Sequence, residues 1–225
     1  MITIEHIPVS LDLEEIKRRL HMEERGDWGP GQTLIETAQS LISARAAYKV
    51  CFIEAKCEGA IVIDGIRLTS KVLRKNVDKV ERVFPYVMTI GNRLEEKARA
   101  CEDLLEQYYL DTIGNVALNL ARKYLEDHLH STYALGEVSY MGPGSLHDWP
   151  IENQRPLFSI LGDVEASIGV RLEENFLMIP TKSLSGIYFP TEIRFYTCQL
   201  CPRKDCEARR AAYDGNLAKE YGILK

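Results

Sequence analysis

The sequence predicts an α+β fold, a mixed or antiparallel twisted sheet with packed helices, and three observations predict it. Short stretches rich in β-branched and aromatic residues cluster at 48–90 and 134–187 instead of alternating strictly with helices. Between the clusters lies a long amphipathic stretch with helical periodicity. No internal repeat and no low-complexity linker interrupts the chain. Residues 1–190 are expected to form the main domain, and residues 191–225 a cysteine-bearing tail closed by a helix.

The elements follow in order. Ser10 is placed to cap a helix carrying Leu13, Ile16 and Leu20. Gly26–Gly31 (GDWGPG) reads as a breaker, and Leu34–Tyr48 as a helix with Leu34, Ile35, Ala38, Leu41, Ile42 and Ala46 on one face. Tyr48–Ala55, Ala60–Leu68 and Val83–Ile90 read as β-structure, with a turn at Asp64-Gly65. The run Lys71–Lys79 reads as a solvated helix or turn of mixed charge. A helix is expected to open at Gly91 and run through Glu95–Gln107. A longer one follows from Tyr109 to His130, with Leu110, Ile113, Val116, Ala117, Leu120 and Tyr124 as its stripe. Asp111 is expected near that helix start, where a carboxylate favours the dipole. Ala134–Tyr140 reads as a strand, Arg155–Ile168 as a helix, Val170–Ile187 as two strands around Pro180, and Glu207–Tyr221 as the closing helix.

Composition narrows the function. At 225 residues and 45% hydrophobic content the chain can bury a core without staples. A formal net charge of -5 disfavours nucleic acid and anionic membranes as partners. No apolar run approaches the ~18 residues that span a bilayer. The segment MITIEHIPVSLDLEEIKRRL lacks the basic start and apolar run of a signal peptide, which predicts a cytoplasmic protein. The sequence has no Ser-His-Asp order, P-loop or dinucleotide fingerprint, so hydrolase, kinase and nicotinamide chemistry have no support.

Chemistry concentrates in the loop Tyr140–Gln154, YMGPGSLHDWPIENQ. Gly144 lets the backbone approach a ligand closely, and His147, Asp148 and Trp149 offer an imidazole, a carboxylate and an aromatic face in succession. A tight turn with a buried tryptophan anchor is the competing reading. Three separated blocks carry a resemblance: this loop with its D-W-P and Gln154, Asp111–Ala121 (DTIGNVALNLA), and Pro180–Phe189 (PTKSLSGIYF). Together they resemble the activation domain of cobalamin-dependent methionine synthase and its free-standing relatives. The similarity covers most of residues 1–190 and is weak before residue 60.

The resemblance implies a shallow groove that presents the methyl group of S-adenosylmethionine to inactive cob(II)alamin on a partner. An electron from a reductase together with that methyl restores methylcobalamin, and the favourable methyl transfer pulls the reduction forward. The groove residues it implies are Asn119, Tyr140, Gly142, Gly144, Ser145, Asp148, Trp149 and Tyr188. Two positions depart from the family. The arginine of its R-x-x-P-G-Y loop corresponds to Tyr140, with Ser145 at the tyrosine, and an acidic residue of the central helix corresponds to Asn119. The loss of charge-assisted contacts of roughly 1.5–3 kcal/mol each argues against carrying S-adenosylmethionine binding over unchanged. The groove then holds a different ligand, or docks a corrinoid, or takes its charge from Arg194 or Arg155.

Cys198, Cys201 and Cys206 form a C-x2-C-x4-C cluster beside Pro202, with Arg203, Lys204, Arg209 and Arg210 to offset thiolate charge. The spacing suits an iron–sulfur cluster, with Cys51, Cys57, Cys101 or a partner as fourth ligand. It also suits zinc completed by His128, His130 or His147, or three unligated thiols. A cluster would serve as a low-potential electron source. The expected function is therefore an accessory protein for reductive reactivation of a corrinoid methyltransferase, docking on the corrinoid protein and drawing on an electron donor. The alternative is a non-catalytic corrinoid-binding module with zinc in its tail.

Overall fold

The computed structural model describes residues 1–22, 29–206 and 208–223. Its centre is β6 (Arg82–Thr89), whose residues from Val83 onward are all buried. Along one edge it pairs with β2 (Arg45–Tyr48) and then with β3 (Cys51–Cys57). Along the other lies β10 (Ser183–Pro190), and beyond it β7 (Val138–Met141). β1 (Ile2–Ile4) pairs with β2, while β4 (Ala60–Ile63) and β5 (Ile66–Thr69) extend outward from β3. All of these pairings are antiparallel, in a sheet of eight strands. A short hairpin, β8 (Arg171–Leu172) with β9 (Met178–Ile179), stands apart. The α+β class expected from grouped strands is therefore the observed one.

Helices cover both faces. On one face, α1 (Leu13–Arg19), α2 (Gly29–Leu41) and α5 (Leu104–Tyr133) bury Ile16, Ala38, Ile113, Ala117, Ala121 and Leu125 against Tyr48, Phe84, Tyr86 and Tyr188. α4 (Arg93–Arg99) packs Leu94 into the same cluster. On the other face, α3 (Lys71–Asn76) and α6 (Gln154–Leu161) bury Val72, Leu73, Leu157 and Ile160 against Val83, Ile187 and Phe189. α7 (Val164–Ile168) closes a third cluster over Ala47 and Val87. The alternation of Ile187 and Phe189 with Tyr188 sends neighbouring β10 side chains into opposite cores, as strand geometry requires.

The tail joins the second core. Phe195, Leu200 and Ala218 are buried there, with Cys201, Leu217 and Tyr221 packed against them. Thr191 N–H donates to Glu137 O (2.9 Å), one step beyond the Pro190–Val138 pairing of β10 with β7, and Phe195 N–H donates to Ser139 Oγ (2.7 Å).

Several boundaries differ from expectation for local reasons. The helix read through Tyr48 ends at Leu41, because Ala46, Ala47 and Tyr48 pair with β1 and β6, and alanine fits either structure. α2 already starts at Gly29 within the expected breaker, its proline falling in the first turn where a missing N–H costs little; residues 26–28 lie outside the described residues. Asp12, not Ser10, caps α1, accepting from Glu15 N–H at 2.8 Å. The helix expected over 95–107 breaks at Ala100–Asp103, and Asp103 caps α5. Asp111 therefore sits beyond the first turn and pairs with Lys182 at 2.8 Å. Gly162, at φ 91°, divides α6 from α7. The closing helix α8 is shorter than expected, Gly215–Glu220 behind an Asp214 cap, and the expected start at Glu207 lies outside the described residues.

Candidate functional site

The loop after β7 leaves the sheet at a glycine pair. One step beyond the Ile187–Met141 pairing, Gly142 faces Gly186. A Cβ on Gly142 would lie 2.5 Å from Ser185 O, and one on Gly186 would lie 2.4 Å from Met141 O. Two backbones meet here with no room for a side chain. Gly186 also makes space for the Tyr86 ring, 3.1 Å from its would-be Cβ. The turn then closes on itself: Ser145 Oγ donates to Gly142 O at 2.5 Å, and Gly144 N–H donates to Trp149 O at 2.7 Å. Gly144 adopts φ 81°, which an L side chain resists.

Asp148 and Trp149 turn inward from this loop. The Asp148 carboxylate accepts from Ser70 Oγ (2.5 Å) and from Val72 N–H (2.9 Å), and so fastens the loop to the start of α3. Trp149 is fully buried in the second core. These two expected groove residues therefore anchor the loop and do not line an open face, the carboxylate satisfying helix-end donors and the indole filling core volume. Asp148→Ala is expected to lower stability by about 1–3 kcal/mol. A urea midpoint equal to that of the parent would contradict the anchoring role.

The other expected residues surround a row of tyrosines laid across three adjacent strands. Tyr86 and Tyr188 have ring centroids 4.7 Å apart, and Tyr188 and Tyr140 5.3 Å apart. Tyr86 and Tyr188 are buried, while Tyr140 is half-buried at the rim. Tyr188 Oη donates to Arg122 O of α5 at 3.3 Å. Asn119 stands one helical turn before Arg122, exposed, its side-chain amide donating to Asn115 O at 3.0 Å.

Guanidinium groups roof this row. Arg122 lies 4.8 Å and Arg210 4.4 Å from the Tyr140 ring centre, and Arg210 Nη1 also donates to Tyr140 Oη. Arg122 pairs with Glu126 at 3.0 Å. Arg194 pairs with Glu126 too, lies 3.6 Å from Glu137, and donates to Val138 O at 3.1 Å. Burial raises the pKa of Tyr140, an effect Arg122 and Arg210 only partly offset, so the phenol is neutral at pH 7. Burial pushes Tyr188 higher still. Of the charges that could replace a loop arginine, Arg194 is engaged by carboxylates, and Arg155 instead lies 5.0 Å over the Phe176 ring. Arg122 and Arg210 are the groups at Tyr140. In the sequence Arg210 reads as one of the cations offsetting thiolate charge, and Arg122 lies within an amphipathic helix with no local signal of its own.

The tail thiols are arranged differently from expectation. Cys198, Cys201 and Cys206 are free and partly exposed. Among the described residues no group of three or more His, Cys, Asp and Glu side chains is placed to hold a metal ion. Arg209 organises the loop instead: its guanidinium donates to the carbonyls of Cys198 (3.2 Å), Cys201 (3.3 Å) and Ala211 (3.2 Å), and also to Arg203 O. Arg209 thus satisfies main-chain carbonyls of this loop.

Of the residues about Tyr140, Asn119, Gly144, Ser145 and Arg210 are exposed, while Arg122, Gly142 and Tyr140 itself are half-buried. Two hollows lie elsewhere, and neither is lined by the expected groove residues. One, of about 370 Å³, lies between α4 and α5 beside Lys182. The other, a trough of about 1300 Å³, lies between α3 and the tail. No helix among the described residues is long and apolar enough to cross a membrane.

Comparison with known proteins agrees with this architecture. The family model for the vitamin B12 dependent methionine synthase activation domain matches residues 140–211, the stretch from Tyr140 through the turn and β10 to Arg210. Among solved structures the chain is similar to the MetH reactivation domain bound to AdoHcy, at 19% identity and a TM-score of 0.54. The likeness covers 87% of this chain and 80% of that one. The two share the fold. No curated protein sequence matches the chain.

Proposed function

We propose that this chain, which has the fold of the methionine synthase reactivation domain, binds the methyl donor S-adenosylmethionine on the face at Tyr140 and serves the reductive reactivation of a corrinoid methyltransferase. The observation that carries the reading is a coincidence of place: the segment matching the family model supplies Tyr140, the Gly142–Ser145 turn and Arg210 of this face. The bound AdoHcy of the structural relative supports the choice of ligand class, and supports it more strongly than the two sequence departures argue against it.

The chain's own part is to hold and orient. Its glycine turn offers a backbone that a ligand can approach, and the neutral Tyr140 hydroxyl and nearby guanidiniums offer donors. The corrinoid belongs to a partner protein and supplies the nucleophilic cobalt once an outside donor has reduced it. The transferred methyl leaves the sulfonium as a cation equivalent, and the sulfur keeps the bonding pair as a thioether. The loop of Cys198, Cys201 and Cys206 is held by Arg209 through main-chain carbonyls.

The test is a reactivation assay with a corrinoid methyltransferase partner held as cob(II)alamin, a low-potential reductant and S-adenosylmethionine. With the chain present, the methylcobalamin spectrum is expected to appear at least tenfold faster than without it. An equal rate, or a rate independent of S-adenosylmethionine, would contradict the reading.

A further inference from the structure

We infer that Arg210, supplied by the tail, is the residue of this chain that fixes the ligand's carboxylate. The inference rests on the reading above and adds which cation does the binding.

Three observations lead to it. The first is charge. Arg122 and Arg194 share Glu126, and Arg194 also faces Glu137, whereas Arg210 has no carboxylate partner among the described residues. Among the described residues it meets the Tyr140 ring at 4.4 Å, the Tyr196 ring at 5.5 Å, and the Tyr140 hydroxyl. Among the described residues one positive charge at the face is thus without a carboxylate, which suits a monoanion.

The second observation is that Arg210 is held in place. Its neighbour Arg209 is bound to several carbonyls of the same loop, and Tyr140 and Tyr196 support the guanidinium from β7 and from the tail. A long exposed side chain normally loses much conformational freedom when it binds; this one has lost part of it already.

The third is the donor inventory. Tyr140 Oη accepts from Arg210, which leaves the phenolic proton free to donate, and burial keeps that phenol protonated. The remaining guanidinium N–H groups and the Tyr140 O–H are donors at the same place, beside a turn whose Gly142 and Gly144 carry no side chains. A carboxylate matches that fork.

The test compares two probes that differ in the amino-acid end: S-adenosylhomocysteine, and 5′-methylthioadenosine, which keeps the nucleoside and thioether but has no carboxylate. Arg210→Ala is expected to weaken S-adenosylhomocysteine binding by roughly tenfold to a hundredfold and to leave 5′-methylthioadenosine unchanged. Arg210→Lys, which keeps the charge without the fork, is expected to recover part of the loss. Arg210 is exposed, and circular dichroism of each variant checks that the fold is intact. Equal S-adenosylhomocysteine binding by parent and Arg210→Ala would overturn this inference and leave the proposed function standing. A loss shared equally by both probes would also overturn it, by making the arginine a support for the loop. If the parent binds neither probe, the proposed function falls, and this inference with it.

Discussion

Gly186→Ala is expected to lower the unfolding free energy by about 3 kcal/mol or more, at the upper end of what overpacking costs. The added methyl group would stand 2.4 Å from Met141 O and 3.1 Å from the Tyr86 ring. A flexible side chain could swing away, but a carbonyl fixed between paired strands cannot. The structure must part β10 from β7 or tilt the tyrosine row. For a domain of this size, that cost corresponds to a fall of about 6–12 °C in Tm. Gly142→Ala meets Ser185 O at 2.5 Å from the other side of the same crossing and is expected to behave alike. Thermal unfolding followed by circular dichroism checks both. A Tm within a degree of the parent for either variant would show that the strands do not approach as closely as described.

Trp149→Ala is expected to cost about 3–5 kcal/mol, the range for removing a large aromatic from a core. The indole is wholly buried between the turn and the second core, and the turn is tied to it through the Gly144–Trp149 hydrogen bond. Its Nε1 has no acceptor among the described residues. Trp149→Phe therefore gives up volume but no hydrogen bond and is expected to retain most of the stability, losing less than about 2 kcal/mol. Urea denaturation of the two variants separates packing from polarity. Equal losses in both would point to a polar role for the indole N–H.

The fold class was legible in the sequence because strand-forming stretches came in groups, and the loop because glycine, proline and D-W-P mark it. The roles inside the loop were not legible. Asp148 and Trp149 are the residue types a ligand site uses, yet one caps α3 from 78 residues away and the other fills a core. Contacts of such sequence separation leave no local trace. The same holds for Arg210, which reaches Tyr140 across 70 residues. Its position beside a cysteine cluster suggested thiolates, while its nearest groups in space are aromatic rings. Helix ends were missed where tertiary pairing overrode propensity, as at Ala46–Tyr48, or where a nearby carboxylate outcompeted the expected cap, as at Asp12.

The face at Tyr140 is the proposed ligand site. Hydrogen exchange with and without S-adenosylhomocysteine tests it most directly. Protection is expected in the β7 turn around 140–146, in β10 around 184–188 and in the tail around 208–211. Protection confined to the hollow between α4 and α5 or the trough between α3 and the tail, or no protection anywhere, would contradict the claim.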